Sequence, residues 1–202
     1  MPVPDFTIDG VIPPYIGAGG PAGRSEQMTP YEASPLDVVT RFATSERRRE
    51  ILGHWLEHRR MLRGLGIDTG FQWLDGSFVE DKEPNDLDIV TFFRRPVGAQ
   101  TPIELERLMR ANPETLLRGP IKAVRKLDAM FVDLNSSSEG IIDATRYWCG
   151  LFSHRRVDDL WKGMVKVPLD AADEDLASQL LADAALQNEH QDADILVEDG
   201  PR

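Results

Sequence analysis

The chain holds one cysteine, Cys149, in 202 residues. A lone thiol excludes an intrachain disulfide framework and a cysteine-rich zinc site, and it suits a reducing compartment. Cys149 stands between Trp148 and Gly150, a setting for a buried bystander rather than a nucleophile. Positive charge is also scarce: 23 Lys and Arg against 34 Asp and Glu leave a net charge of −11. That argues against a footprint on extended duplex nucleic acid, which needs a dense basic surface, while a local patch can still hold a nucleotide or a short RNA end. No apolar run approaches the ~20 residues of a membrane span, and no signal-peptide pattern opens the chain. The expectation is a cytoplasmic protein with no membrane partner. A phosphate loop is missing too. Gly17-Ala18-Gly19-Gly20-Pro21 is glycine-rich, but no strand precedes it and no Gly-Lys-Ser/Thr follows.

What is present suits one globular domain with appended elements, since 41% of residues are hydrophobic. Residues 1–35 carry seven of the 14 prolines and read as an extended N-terminal arm, pinned by Phe6, Ile8 and Ile12. Residues 36–169 form the body, and 170–202 a C-terminal helix with an acidic tail. From Pro35 to about Leu65 the pattern is helical, with Ile51, Trp55, His58 and Leu62 on one stripe. Arg47, Arg48, Arg49, Arg59, Arg60 and Arg63 fall largely off it and read mostly as solvated charges. Strands are expected on both sides of a tight loop between Gly70 and Phe93. Thr101-Pro102-Ile103-Glu104 is a helix start with a capping box, and a short turn follows Pro113. A third strand spans Lys126–Leu134, a helix covers Ile142–Phe152, and Met164–Pro168 reads as an edge strand because proline follows directly. The C-terminal helix starts at Asp173. The sum is an α+β fold: a small mixed β-sheet with helices packed on it.

Chemistry concentrates in Trp73-Leu74-Asp75-Gly76-Ser77-Phe78 and the Asp86-Leu87-Asp88 that follows. Carboxylates at i and i+2 of a strand share a face. Asp86 and Asp88 would repel one another unless a cation sat between them, and hard divalent ions favour such oxygen ligands. Gly76 permits close backbone approach to a phosphate, and Ser77 adds a hydroxyl donor. A later strand offers a third acid, Asp128 or Asp133, each between apolar neighbours. Ser153-His154-Arg155-Arg156, with Lys162 and Lys166, makes a basic cluster. Arg155 or Lys162 could neutralise phosphate there, or the cluster could form a solvated turn paired with Asp158 and Asp159. Trp148 and Trp161 could stack a base or belong to the core.

Gly76-Ser77, then Asp86-Leu87-Asp88, then a single acid on a subsequent strand resembles the nucleotidyltransferase superfamily typified by DNA polymerase β. More narrowly, Asp9-Gly10-Val11-Ile12-Pro13-Pro14, Trp73 to Phe93 and the Arg47-Arg48-Arg49 helix look like a bacterial family described as nucleotidyltransferase-like. The eight residues from Phe78 to Asn85 make a shorter spacer than that superfamily usually has. The resemblance implies that Asp86, Asp88 and the third acid hold Mg2+ or Mn2+, and it favours Asp128 for that third place. It implies that Gly76 and Ser77 hold the terminal phosphates of a nucleoside triphosphate, with a nucleoside monophosphate passing to a hydroxyl of a protein, RNA or small molecule. A chain this short could depend on a partner to bring the acceptor, as in toxin–antitoxin systems. The alternatives are a nucleotide-binding or antitoxin-type module without turnover, and a structural protein whose Asp pair only ends a strand.

Overall fold

Side-chain caps fix where the helices begin in the computed structural model, which describes residues 3–198. Ser34 and Asp37 cap one another's amides, with Pro35 at the first helical position, so α1 runs Pro35–Phe42. The one helix expected from Pro35 to Leu65 is two. Ser45 accepts from the Arg48 amide at 3.1 Å and starts α2 (Glu46–Gly64) afresh. β2 (Gly70–Asp75) passes through a 3-10 turn (Gly76–Val79) and a loop into β3 (Leu87–Phe93). The Thr101 capping box opens α3 (Pro102–Ala111) as its residues require. α4 (Pro113–Leu116) is the expected short turn, but α5 (Arg118–Val124) was announced by no periodic pattern. Then come β4 (Leu127–Asp133), α6 (Ser138–Phe152), a hairpin of β5 (His154–Arg155) and β6 (Leu160–Trp161), β7 (Val165–Pro168) and α7 (Glu174–Glu198). The residues beyond α7, the end of the expected acidic tail, lie outside the described ones.

The main sheet has five strands in the order β1-β7-β2-β3-β4, where β1 is Tyr31–Glu32. β7 is therefore not the expected edge. It pairs with β1 in parallel and with β2 antiparallel. β1 spans only two residues, so Pro168 lies past its end and lacks no ladder partner on that side. β2 and β3 are antiparallel, β3 and β4 parallel, which makes the sheet mixed. The expected α+β architecture is what forms, with seven α-helices among the described residues.

Strand alternation sends Leu74, Ile89, Ala129 and Val167 to one face, against Val38, Phe42, Ile51, Leu52 and Trp55 of α1 and α2. Each fully buried side chain of that size contributes roughly 1.5–3 kcal/mol. The other face carries Trp73, Val90, Phe92 and Val132 under Phe152 of α6. The arm is part of the fold. Val3 and Ile12 enter the first core and Phe6 packs on it, but the expected pin Ile8 is fully exposed.

Two arginines expected in solvent are buried. Arg59 donates to Glu174 Oε1 at 2.5 Å, to Gln72 Oε1 at 3.0 Å and to the Pro168 carbonyl at 2.7 Å, fastening α7 to α2 and the sheet. Arg48 donates to the carbonyls of Phe78, Glu80 and Lys82 at 2.8, 2.6 and 2.8 Å. No helix among the described residues is long and apolar enough to cross a membrane.

Candidate functional site

Register aligns three carboxylates. Asp75 is the Cα partner of Asp88 across β2 and β3, and Asp88 the partner of Asp128 across β3 and β4. Directly opposed residues share a face with Cβ atoms about 4.5–5.5 Å apart, so the three form a row on the α6 side of the sheet. Asp86, one residue before β3, joins them through Lys122. Its Nζ lies 3.0 Å from Asp86 Oδ2 and 2.7 Å from Asp128 Oδ2. Asp133, the other candidate third acid, sits at the far end of β4 opposite Phe93 and takes two bonds from Arg95, at 2.8 and 2.6 Å. The parallel pairing of β3 with β4 thus brings Asp128 to the row and leaves Asp133 away from it.

Gly76 is required by this row. Its φ is +76°, and a Cβ built there would fall 2.0 Å from Asp88 Oδ2. The backbone approach made possible by glycine is an approach to a carboxylate. Crowding shows in the proton equilibria. The Asp88 carboxyl is pushed above the ordinary range by burial and then by the charges of Asp86 and Asp128. Asp128 is held down at about 2, chiefly by the hydrogen bond from Arg118, with Lys122 adding to it. Asp75, the most enclosed, is pushed up to about 7 by burial, against the pull of Lys162.

Lys162 and Arg155, the expected phosphate-neutralising cations, both border the space beside Gly76 and Ser77. Lys162 is buried, its Nζ 3.0 Å from the Gly76 carbonyl, 3.1 Å from Asp75 Oδ1 and 3.2 Å from Glu80 Oε1. It neutralises the floor of the site and borders the cavity that Gly76, Ser77, Asp86 and Asp88 line. Arg155 is tied to Asp158 by bonds of 2.9 and 2.5 Å and to the Asp9 carbonyl at 2.7 Å. Its ion pair with Asp158 is the contact the turn alternative expects, and its side chain also borders the cavity. Arg156, beside it, is exposed and has no ion-pair or hydrogen-bond partner among the described residues. Trp161 packs edge-on against Tyr15, not in the site.

Arg118 and Lys122 went unread in the sequence. Arg118 donates to both Asp128 oxygens, at 2.5 and 2.9 Å. The one available signal is their i, i+4 spacing, which puts both on one side of α5. The loop between Gly76-Ser77 and Asp86 owes its shape to two more arginines taken for solvated charges. Arg48 holds the carbonyls of residues 78, 80 and 82, and Arg47 those of Pro84 and Asn85. The arm adds a bond from the Asp81 amide to the Gly10 carbonyl at 2.8 Å.

Two cavities meet at the acids. One of about 300 Å³ is lined by Gly76, Ser77, Asp86, Asp88 and Arg156, under the β5–β6 hairpin. The other, about 460 Å³, lies between α5, β4 and α6. Asp86, Asp88 and Arg156 line both. A divalent ion suits the donor set by chemistry, since hard oxygens are what it takes. In the present arrangement no group of three acidic, histidine or cysteine side chains among the described residues is set to hold a metal. Lys122 bridges Asp86 and Asp128 where such an ion would sit. Its side chain is half-exposed on a flexible stem, so it can swing out.

Fold and site together define a mixed α+β protein with a row of aspartates at one end of its sheet. Residues 4–168 match a family of unknown function (DUF6932), and the chain belongs to that family. Neither the curated proteins nor the solved structures gave a match. The stretch 4–168 contains the whole acid row, both cavities and the clamping arginines, and stops before Glu174.

Proposed function

We propose that this chain is a metal-dependent nucleotidyltransferase, moving a nucleoside monophosphate from a nucleoside triphosphate to a hydroxyl acceptor. The observation that carries the reading is the convergence of Asp86, Asp88 and Asp128 beside Gly76 and Ser77, with an unpaired arginine facing the same cavity. Asp86, Asp88 and Asp128 would hold Mg2+ or Mn2+, which when bound supplies charge neutralisation at the phosphates and lowers the pKa of the attacking hydroxyl. Ser77 would donate its hydroxyl to the terminal phosphates, helped by backbone amides of the 3-10 turn. Arg156 would offset the growing charge on pyrophosphate. Arg48 and Arg47 would keep the loop between the two motifs in one shape, which limits reorganisation during the reaction. The reaction forms a bond between the acceptor oxygen and the α-phosphorus and breaks the α–β phosphoanhydride. Pyrophosphate leaves, and the hydroxyl proton passes to Asp128 once Arg118 and Lys122 have withdrawn.

One observation favours a second reading, nucleotide binding without turnover. Asp128 is already saturated by Arg118 and Lys122, and a carboxylate so held is a poor proton acceptor. A single experiment separates the two. The protein is incubated with each labelled nucleoside triphosphate, Mg2+ or Mn2+ and cell lysate, beside an Asp86→Ala/Asp88→Ala variant. Transfer of label that the variant loses supports the enzyme. Thermal stabilisation by a nucleotide without transfer supports the binding module. Neither effect with any nucleotide refutes both.

A further inference from the structure

We propose that the larger cavity is a second binding site, built for a nucleoside phosphate that is either free or the end of a single strand. Its role as acceptor rests on the nucleotidyltransferase reading; its binding does not.

One wall is stackable. Tyr147 on α6 is 56% exposed, meets Trp148 edge-on at 4.8 Å between ring centres, and its hydroxyl has no hydrogen-bond partner among the described residues. An uncovered ring of that size on a cavity wall presents a face to a planar ligand, and bases stack on such faces with little regard to sequence. The opposite wall is cationic. Arg118 and Lys122 project from α5 with side chains 64% and 48% exposed, and the unpaired Arg156 stands where the two cavities join. A flat guanidinium suits phosphate oxygens, which it can engage in pairs. At about 460 Å³ the space has the size of a small-molecule site.

Charge narrows the ligand further. Three acids (Asp86, Asp88, Asp128) and three cations (Arg118, Lys122, Arg156) line the cavity, a balanced set. A divalent ion at the acids makes it net positive and frees Arg118 and Lys122 for an anion. The rest of the chain is strongly acidic, −11 overall, so a long polyanion gains nothing beyond the cavity mouth. One nucleotide, or the last few of a strand, is what fits. The acids shared with the smaller cavity would then lie between the two bound molecules.

The test measures binding in the full chain. A non-hydrolysable α,β-methylene triphosphate analogue and Mg2+ fill the smaller cavity. Equilibrium dialysis then follows each of the four labelled ribonucleoside monophosphates in one arm and a labelled five-nucleotide single-stranded RNA in the other. At least one probe is expected to bind, about tenfold more weakly after Tyr147→Ala or Arg118→Ala, and normally after Tyr147→Phe. Analogue binding should show the reverse pattern, sensitive to Ser77→Ala and indifferent to Tyr147→Ala. Whichever arm binds more tightly identifies the free nucleotide or the strand end as the source. If the analogue binds while every probe fails, or binds without response to Tyr147→Ala and Arg118→Ala, the second site is overturned. Label transfer to a protein with all probes unbound overturns it as well. Probe binding that depends on Tyr147 when no analogue binds keeps the site and sinks the transferase reading instead.

Discussion

Replacing Gly76 by alanine tests the packing of the acid row. The added Cβ would lie 2.0 Å from Asp88 Oδ2 and 2.9 Å from Asp88 Cγ, on a backbone with φ of +76°. Two costs arise. An L-residue in the left-handed region loses ~1–2 kcal/mol, and turning Asp88 off its rotamer to clear the methyl costs about 0.5–1.5 kcal/mol. Gly76→Ala should therefore lower the unfolding free energy by roughly 1.5–3.5 kcal/mol. In an Asp88→Ala background the carboxylate is gone and only the backbone cost remains. The coupling between the two positions should then be about 0.5–1.5 kcal/mol in a double-mutant cycle. Urea unfolding followed by tryptophan fluorescence and circular dichroism gives all four corners. An equal cost in both backgrounds refutes the contact with Asp88, and no cost in either refutes the left-handed turn. Transfer activity should fall about 100-fold in Gly76→Ala, because a displacement near 1 Å at a reacting centre is enough for that.

Other perturbations reach different parts of the molecule. Arg48→Met strands three carbonyls and should cost about 3 kcal/mol in urea unfolding, with Arg48→Lys restoring little because one ammonium cannot span them. Glu174→Ala leaves the Arg59 guanidinium buried and unpaired and should cost ~3–5 kcal/mol, while Arg59→Met/Glu174→Leu should cost less than the single change. Asp128, depressed to about 2 in the fold, adds stability that is complete above its unfolded value of ~3.9 and is lost as pH falls through the folded one. Acid titration of stability should thus flatten between pH 4 and 2 in Arg118→Ala/Lys122→Ala. Asp75 has the opposite sign. Raised to about 7, it favours the fold at low pH and gives up that contribution as pH climbs from ~3.9 to 7. Asp75→Asn should lose less stability than the unmodified chain over that range.

The elements that local chemistry dictates could be read from the sequence. Thr101 and Glu104 start α3, and the Gly-Ser and Asp-Leu-Asp segments flank a tight loop. Strand alternation puts Asp128, Met130 and Val132 on one face. Choosing Asp128 over Asp133 needed the register of β3 against β4, a pairing of residues forty apart that no local pattern encodes. The buried arginines show a different limit. Arg48 and Arg59 carry the same charge as the exposed Arg60 and Arg63, and only the carbonyls and the Glu174 carboxylate that reach them from elsewhere decide their burial. Arg155 and Arg156 differ for a similar reason: both border the smaller cavity, and the short hairpin ties only Arg155 to Asp158. α5 is not legible locally because seven residues containing Gly119 and Pro120 show no amphipathic period, although Arg118 and Lys122 on it set the charge of the site.

The position of β7 has a consequence for the order in which the molecule assembles. Val165 stands 90 residues after Asp75 (165 − 75) and yet pairs with β2, so the strand carrying the first acid of the row keeps an unpaired edge until late in the chain. Lys162, three residues ahead of β7, is also the counter-charge of Asp75. A folding intermediate built on the β2–β3–β4 ladders would hold the carboxylates together before their buried ammonium arrived. Closing so distant a pair is entropically slow, and until it happens the open β2 edge can recruit a strand from another molecule. Sheet closure and charge compensation are therefore one event. Pulsed amide exchange during refolding should show protection spreading from the β3–β4 pair to the β2–β7 pair in a later phase, and Lys162→Met should slow that phase alone.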